Sequence, residues 1–196
     1  MLVSTAMSQV RGNTLVSALN DMRRRLGEPA LARVLAAMKP ENARVIAGGL
    51  ARNNWYPFDA YLDFCLTGDR VLGKGDYSHA RANAAIAAEA DLNIFLKVMV
   101  MVFSTPSELV QKLPTIWSKY YDSGVIVVTQ DTPEQIRVEL RDFPTPHALH
   151  CEIISGWVER FMQLTVARKG KTSRCSHPSC RAKGGAVCEF VVDFTR

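Results

Sequence analysis

No run of apolar residues in this 196-residue chain approaches the roughly 18 to 20 needed to span a bilayer. Even Leu92 to Phe103 is interrupted by Asn93 and Lys97. The start, Met1 to Val10, lacks a basic segment followed by a long apolar core, so it does not read as a secretory signal. Together these absences predict a cytoplasmic protein with no membrane segment, in a compartment where thiols stay reduced. Segregated charge is missing too. The formal charge is +5, but bases are scattered among acids along most of the sequence. Arg23-Arg24-Arg25 stands just before Leu26-Gly27, where cations complement a helix C-terminus and glycine closes it. Arg168-Lys169-Gly170-Lys171 reads as a solvated turn. Neither run has the interleaved aromatics of a base-stacking platform, so no nucleic-acid partner is expected. Gly73-Lys74-Gly75 has no preceding strand and no third glycine, which excludes a dinucleotide cradle.

What the chain does have is 47% hydrophobic residues, ample for one continuous core, and the expectation is one domain spanning residues 1–196. It also has five cysteines, four of them in the C-terminal stretch. Cys65 lies in the apolar run Leu62-Asp63-Phe64-Cys65-Leu66, the ordinary setting of a free thiol, and serves as an internal control. Cys175 and Cys180, with His177 between them, fall instead in a polar, turn-forming segment. The spacing Cys175-x4-Cys180-x7-Cys188, with Cys151 upstream on an expected helix, supplies the thiolate or imidazole ligands that tetrahedral zinc requires. The competing reading is a set of free thiols in a glycine-containing hairpin.

Helical periodicity runs from Asn13, the expected cap, through Leu15, Leu19, Met22 and Leu26. Further helices are expected from Pro29 to Met38, from Glu41 to Arg52 and from Pro57 toward Gly68, with Gly68 to Asp76 as a connecting loop. A long helix is expected from Ser78 to Phe103. Thr105-Pro106-Ser107-Glu108 is a capping box that starts another, bent at Pro114 and ending at Gly124. Val125 to Thr129 and the alternating Ile136, Val138 and Leu140 form a hairpin around Thr132-Pro133. A helix from about Leu149 carries Ile153, Trp157, Phe161 and Leu164 on one face, with Cys151 in its first turn. Two final strands, Thr172 to His177 and Val187 to Thr195, flank the cysteine loop. The fold class is α+β: a helical N-terminal part packed on an antiparallel sheet built from a C-terminal β-β-α-β-β unit.

On these residues, above all Cys151, Cys180, Gly184 and Cys188, the chain resembles the small-molecule-binding domain of the 4-vinyl-reductase type. That domain is the sensory half of aromatic-responsive bacterial regulators and shares its fold with TRAPP vesicle-tethering subunits and haem-nitric-oxide-binding domains. Trp55-Tyr56-Pro57, Ile94-Phe95-Leu96 and the stretch Trp117 to Gly124 look like uncharacterised stand-alone myxobacterial relatives. The resemblance implies zinc held by Cys151, Cys180 and Cys188. His177 stands where the family has a carboxylate, and Cys175 is a further candidate for the fourth place. It further implies a ligand cavity, for which Trp117, Tyr121, Val128, Trp157 and Phe161 are lining residues by position. A homodimer is also expected from it. Because the sequence ends at Arg196 with no output module, signalling through a separate partner protein is expected. The haem-binding variant is disfavoured, since no Tyr-x-Ser-x-Arg motif is present.

The functional expectation is thus a stand-alone sensor or carrier of an apolar or aromatic small molecule with a structural zinc site. Four protein ligands would close the metal to water, which points away from an enzyme. With only three, a zinc-dependent hydrolase would return. The other alternative is a ligand-free homodimeric interaction module with a filled core.

Overall fold

The computed structural model describes residues 8–91, 105–167 and 170–195. In chain order its elements are β1 (Gln9–Arg11), α1 (Gly12–Leu26), α2 (Glu28–Ala37), α3 (Pro40–Ala47), β2 (Trp55–Pro57), α4 (Phe58–Leu72) and α5 (Ser78–Asp91). They continue with α6 (Pro106–Val110), α7 (Leu113–Tyr120), β3 (Val125–Asp131), β4 (Gln135–Arg141), α8 (Ala148–Val166), β5 (Thr172–Ser179) and β6 (Cys188–Thr195). The α+β expectation, with an antiparallel sheet from a C-terminal β-β-α-β-β unit, holds. The backbone falls into two compact units. One comprises residues up to Ala80 with 118–124 and 142–145; the other comprises 81–117, 125–141 and 146 onward.

In the helical unit, α1, α2 and α4 bury Met22, Leu31, Val34, Met38 and Phe64 together. Asp63 fastens the turn before α3 to α4 by accepting from the Lys39 N–H and from Asn42 Nδ2, both at 2.9 Å. A second apolar centre is aromatic. Phe58 meets Phe143 edge to face at 5.0 Å between centroids, and Tyr121 meets both rings at 6.1 and 5.9 Å.

Several local expectations are corrected. Asn13 does not cap α1: the N-cap is Arg11, and Asn13 Oδ1 accepts instead from Arg52 Nη1 at 2.7 Å. The third helix stops at Ala47, well short of Arg52, because residues 51–54 turn back onto the start of α1, where Gly12 N–H donates to the Asn54 carbonyl. Gly12 is required there, since a Cβ would stand 2.1 Å from the Ala51 carbonyl oxygen. Trp55–Pro57 is a short strand paired antiparallel with β1, Val10 opposite Tyr56. Gly68 lies inside α4, which continues to Leu72, and the connecting loop begins only at Gly73. Asp69, buried in this helix, accepts from the N–H groups of Tyr77 and Ala80 and so pins the loop to the start of α5. Of the long helix expected over Ser78 to Phe103, residues 78–91 are helical, and 92–103 lie outside the described residues.

The capping box at Thr105 forms as expected, with both reciprocal bonds to Glu108, but the helix breaks between Val110 and Leu113 rather than merely bending at Pro114. In the second unit the sheet has the order β3-β4-β6-β5, all neighbours antiparallel. Helix α8 packs chiefly on β5. Its deeply buried stripe is Cys151, Ser155, Val158, Met162 and Val166. The expected face is only partly buried: Phe161 is enclosed, whereas Ile153, Trp157 and Leu164 are half-buried. Small and sulfur-bearing side chains let the helix settle close on the strand, and that contact decides which face turns inward.

Candidate metal centre

The site grows from a register shift. From Thr172↔Thr195 to Ser176↔Val191 the pairing of β5 with β6 is regular, but Ser179 pairs with Glu189, so β5 carries one extra residue around His177-Pro178. Proline has no N–H to give to a ladder and is tolerated at such a bulge. The shift changes which residues share a face. In the unshifted register Cys175 lies opposite Val192; the extra residue carries Cys180 to the level of Cys188, on the same side as Phe190 and Val192. The His177 ring stacks on Phe190 at 5.9 Å on that side.

Beyond Cys180 the chain makes a tight knuckle of one 3-10 turn, Arg181–Lys183. The Cys180 carbonyl accepts from the N–H groups of Lys183 and Gly185, both at 2.9 Å. Gly184 takes the left-handed conformation, φ 88°. Gly185 has no room for a side chain, since a Cβ would lie 2.5 Å from Ser179 Oγ and 2.9 Å from the Cys180 nitrogen. The knuckle also aims the Arg181 N–H at Cys188 Sγ, 3.4 Å away.

Cys151, in the first turn of α8, completes the group. The three thiols of Cys151, Cys180 and Cys188 lie within 4.8 Å of one another, and all three residues are buried. Cys151 Sγ and Cys180 Sγ are 3.7 Å apart. Two sulfurs bound to one tetrahedral zinc at about 2.3 Å would stand about 3.8 Å apart, so the pair already has the ligand spacing. The Cys188 thiol is brought below its usual range, mainly because Cys151 donates to it, with the Arg181 N–H helping. Cys151 is pushed up by the same bond and by burial.

Cys175 is outside this group. It lies five residues before Cys180, roughly 15 Å along an extended strand. Its thiol is pushed up to about 12, chiefly by burial. His177 is nearer. Its side chain is 5% exposed, Nδ1 lies 3.3 Å from Glu152 Oε1, and Nε2 is buried with no hydrogen-bond partner among the described residues. Burial holds the imidazole below its usual range despite the opposing pull of Glu152, which keeps it neutral and able to ligate. Glu152 is fixed in turn by Arg81, whose Nη1 donates to Glu152 Oε2 at 2.8 Å. Sequence reasoning named the thiols and His177 as candidates and gave no signal of Arg81 or Glu152.

The positions expected to line a ligand cavity are distributed as follows. Trp117 is buried, its ring 6.0 Å from that of His150. Half-buried Trp157 stacks on Phe161 at 4.9 Å and 18°. Val128 sits in β3 opposite Val138, next to a bulge. Tyr121 belongs to the aromatic group of the helical unit with Phe58 and Phe143.

No protein-family model matches the sequence. No curated protein matches it either. Solved structures do match in shape. The Fe(II) unliganded H-NOX protein from K. algicida superposes with a TM-score of 0.70 at 11% identity, over 95% of this chain and 97% of that one. An H-NOX protein from S. oneidensis in the Fe(II)NO state gives 0.69 at 13% identity, over 95% and 99%. At these identities the likeness establishes that the chain has the H-NOX fold.

Haem, the group implied by that fold, needs an axial side chain on its iron. The Nδ1 of His147 caps α8 by accepting from the Leu149 N–H, and that of His177 faces Glu152. Burial brings His150 down to about 3 beside Trp117. The remaining histidine, His79, is half-buried, its Nε2 buried with no hydrogen-bond partner among the described residues, and the chain has no Tyr-x-Ser-x-Arg motif. Among the described residues the group of side chains that could hold a metal ion is the thiol trio. Among the described residues no helix is long and apolar enough to cross a membrane.

Proposed function

We propose that this chain is a sensor or carrier domain of the 4-vinyl-reductase type whose C-terminal hairpin is fastened by one zinc ion. Cys151, Cys180, Cys188 and His177 are its ligands. The observation that carries this reading is the convergence of three buried thiols, from the start of α8 and from both ends of the knuckle, within 4.8 Å of one another, with Cys151 and Cys180 at the spacing of zinc-bound sulfurs. His177 is taken as the fourth ligand because its Nε2 is buried with no hydrogen-bond partner among the described residues. Four protein ligands leave no site for activated water, so the role is structural and the chain is not an enzyme. Metal analysis of protein prepared without a histidine tag tests this: about one zinc per chain is expected, and a value well below one overturns it.

The ligand is an apolar or aromatic small molecule, taken up in the second unit beside the Trp157–Phe161 stack, the most exposed of the aromatic contacts on α8. Occupancy is relayed to a separate partner protein, with the domain acting as a cytoplasmic homodimer. A thermal-shift screen of phenols, fatty acids and tetrapyrroles is the test, with Trp157→Ala expected to remove any shift and leave zinc content unchanged. One observation favours a second reading. Phe161 is fully enclosed and Trp117 nearly so, as in a filled core, which suits a ligand-free dimeric interaction module. A bare zinc-bearing dimer in native mass spectrometry, with no compound raising the melting temperature, would select it.

A further inference from the structure

One guanidinium organises the polar side of α8. Arg81, in the first turns of α5, donates through Nη1 to Glu152 Oε2 at 2.8 Å, and through Nη2 to Glu159 Oε2 at 2.9 Å and to the Cys175 carbonyl at 2.6 Å. Glu159 Oε2 also accepts the Cys175 N–H at 2.7 Å. Both backbone groups of Cys175 are therefore held by a single ion pair. One turn further along α8, Gln163 Oε1 accepts the Ser173 N–H at 2.7 Å. Strand β5 is an edge of the sheet, and these contacts satisfy groups that an edge otherwise leaves open.

The remaining oxygen of Glu152 is the one that faces His177 Nδ1. The carboxylate thus divides its two oxygens between Arg81 and the imidazole. The backbone also fixes Arg81 from behind: Gly156 of α8 lies so close that a Cβ there would stand 2.3 Å from the Arg81 carbonyl oxygen. Guanidinium, carboxylate and imidazole form a chain whose far end is the buried, unpartnered Nε2.

We infer that Arg81 and Glu152 are positioning residues for a metal bound through His177, with Glu152 fixing the Nδ1–H tautomer and Arg81 fixing Glu152. This rests on the zinc reading above. A ligating histidine gives its second ring nitrogen to a carboxylate in many metal sites, and losing that partner costs about 10- to 100-fold in affinity.

Cobalt(II) is the probe. Titrated into the metal-free chain, it should give the sulfur-to-cobalt charge-transfer band of thiolate ligation and the visible bands of a tetrahedral ion. Glu152→Gln should keep the charge-transfer band but weaken cobalt binding by about 10- to 100-fold in competition with a chelator. Arg81→Lys, which keeps the charge but loses the fork, should weaken it by a smaller factor in the same direction. The discriminating step is the double variant. In a His177→Ala background, Glu152→Gln should change the affinity by no more than about twofold, because the carboxylate acts only through the imidazole. Unchanged affinity in the single variants, or an equal loss with and without His177, overturns the inference while leaving thiolate binding intact. Absence of the charge-transfer band from the wild-type chain overturns both this inference and the zinc reading. Far-UV circular dichroism of each variant confirms that the comparison is between folded proteins.

Discussion

In the helical unit Phe58, Tyr121 and Phe143 meet edge to face, and Cys65 packs with the cluster of Met22, Leu31, Val34, Met38 and Phe64. At the end of the sheet unit Cys151, Cys180 and Cys188 face one another, and Arg81 divides its donors among two carboxylates and a carbonyl. The same residue type has opposite roles in the two places. Burial pushes the Cys65 thiol up to about 12 and leaves it an inert apolar filler, whereas neighbouring thiols bring Cys188 below its usual range. Non-directional packing tolerates exchange of one apolar group for another of similar volume. A site built from directional donors at fixed spacing does not.

That contrast can be broken at either end. Truncating the aromatic centre with Phe143→Ala should cost about 3–5 kcal/mol in urea unfolding. The loss should be the same with and without a strong chelator, because no metal ligand is touched. Cys151→Ser should abolish metal binding. At zinc a thousandfold above its dissociation constant, that removes about 4 kcal/mol of stabilisation. Unlike the aromatic loss, this one should vanish when wild type and variant are compared in chelator. Gly185→Ala tests the knuckle. With no space for the Cβ against Ser179 and Cys180, it should cost about 1–3 kcal/mol and loosen the metal. The smallest effect is expected at the control: Cys65→Ala should leave zinc content at the wild-type value and change stability by about 1 kcal/mol.

How much of this could be read from the sequence follows the range of the interactions involved. The capping box at Thr105 and the alternation of Ile136, Val138 and Leu140 are local patterns, and both elements form where they were expected. Of the converging cysteines, Cys180 was legible as a thiol out of place in a polar segment and Cys151 and Cys188 through the resemblance, while Cys175, marked by the same polar setting, lies outside the group. Three-residue β1 and β2 were not legible, since neither is long enough to show a period and they pair across some 46 residues of chain. Gly68 was expected to end α4, but the helix runs on to Leu72 with the glycine inside it. The buried face of α8 was misjudged because aromatic spacing suggested one stripe, while contact with β5 selects Cys151, Ser155, Val158 and Met162. Arg81 gave no signal at all: its partners Glu152 and Glu159 are 71 and 78 residues away. A lone arginine in an alanine-rich helix has the pattern of a solvated side chain.

The central claim is that three thiolates and one imidazole hold a single zinc in this hairpin, and X-ray absorption at the zinc edge measures it most directly. On untagged protein the account predicts one zinc per chain, with three sulfurs at about 2.3 Å and one nitrogen at about 2.0–2.1 Å. His177→Ala should replace the nitrogen and leave the sulfurs. A shell of four sulfurs would contradict the assignment of His177, and protein carrying well below one zinc per chain would contradict the metal site itself.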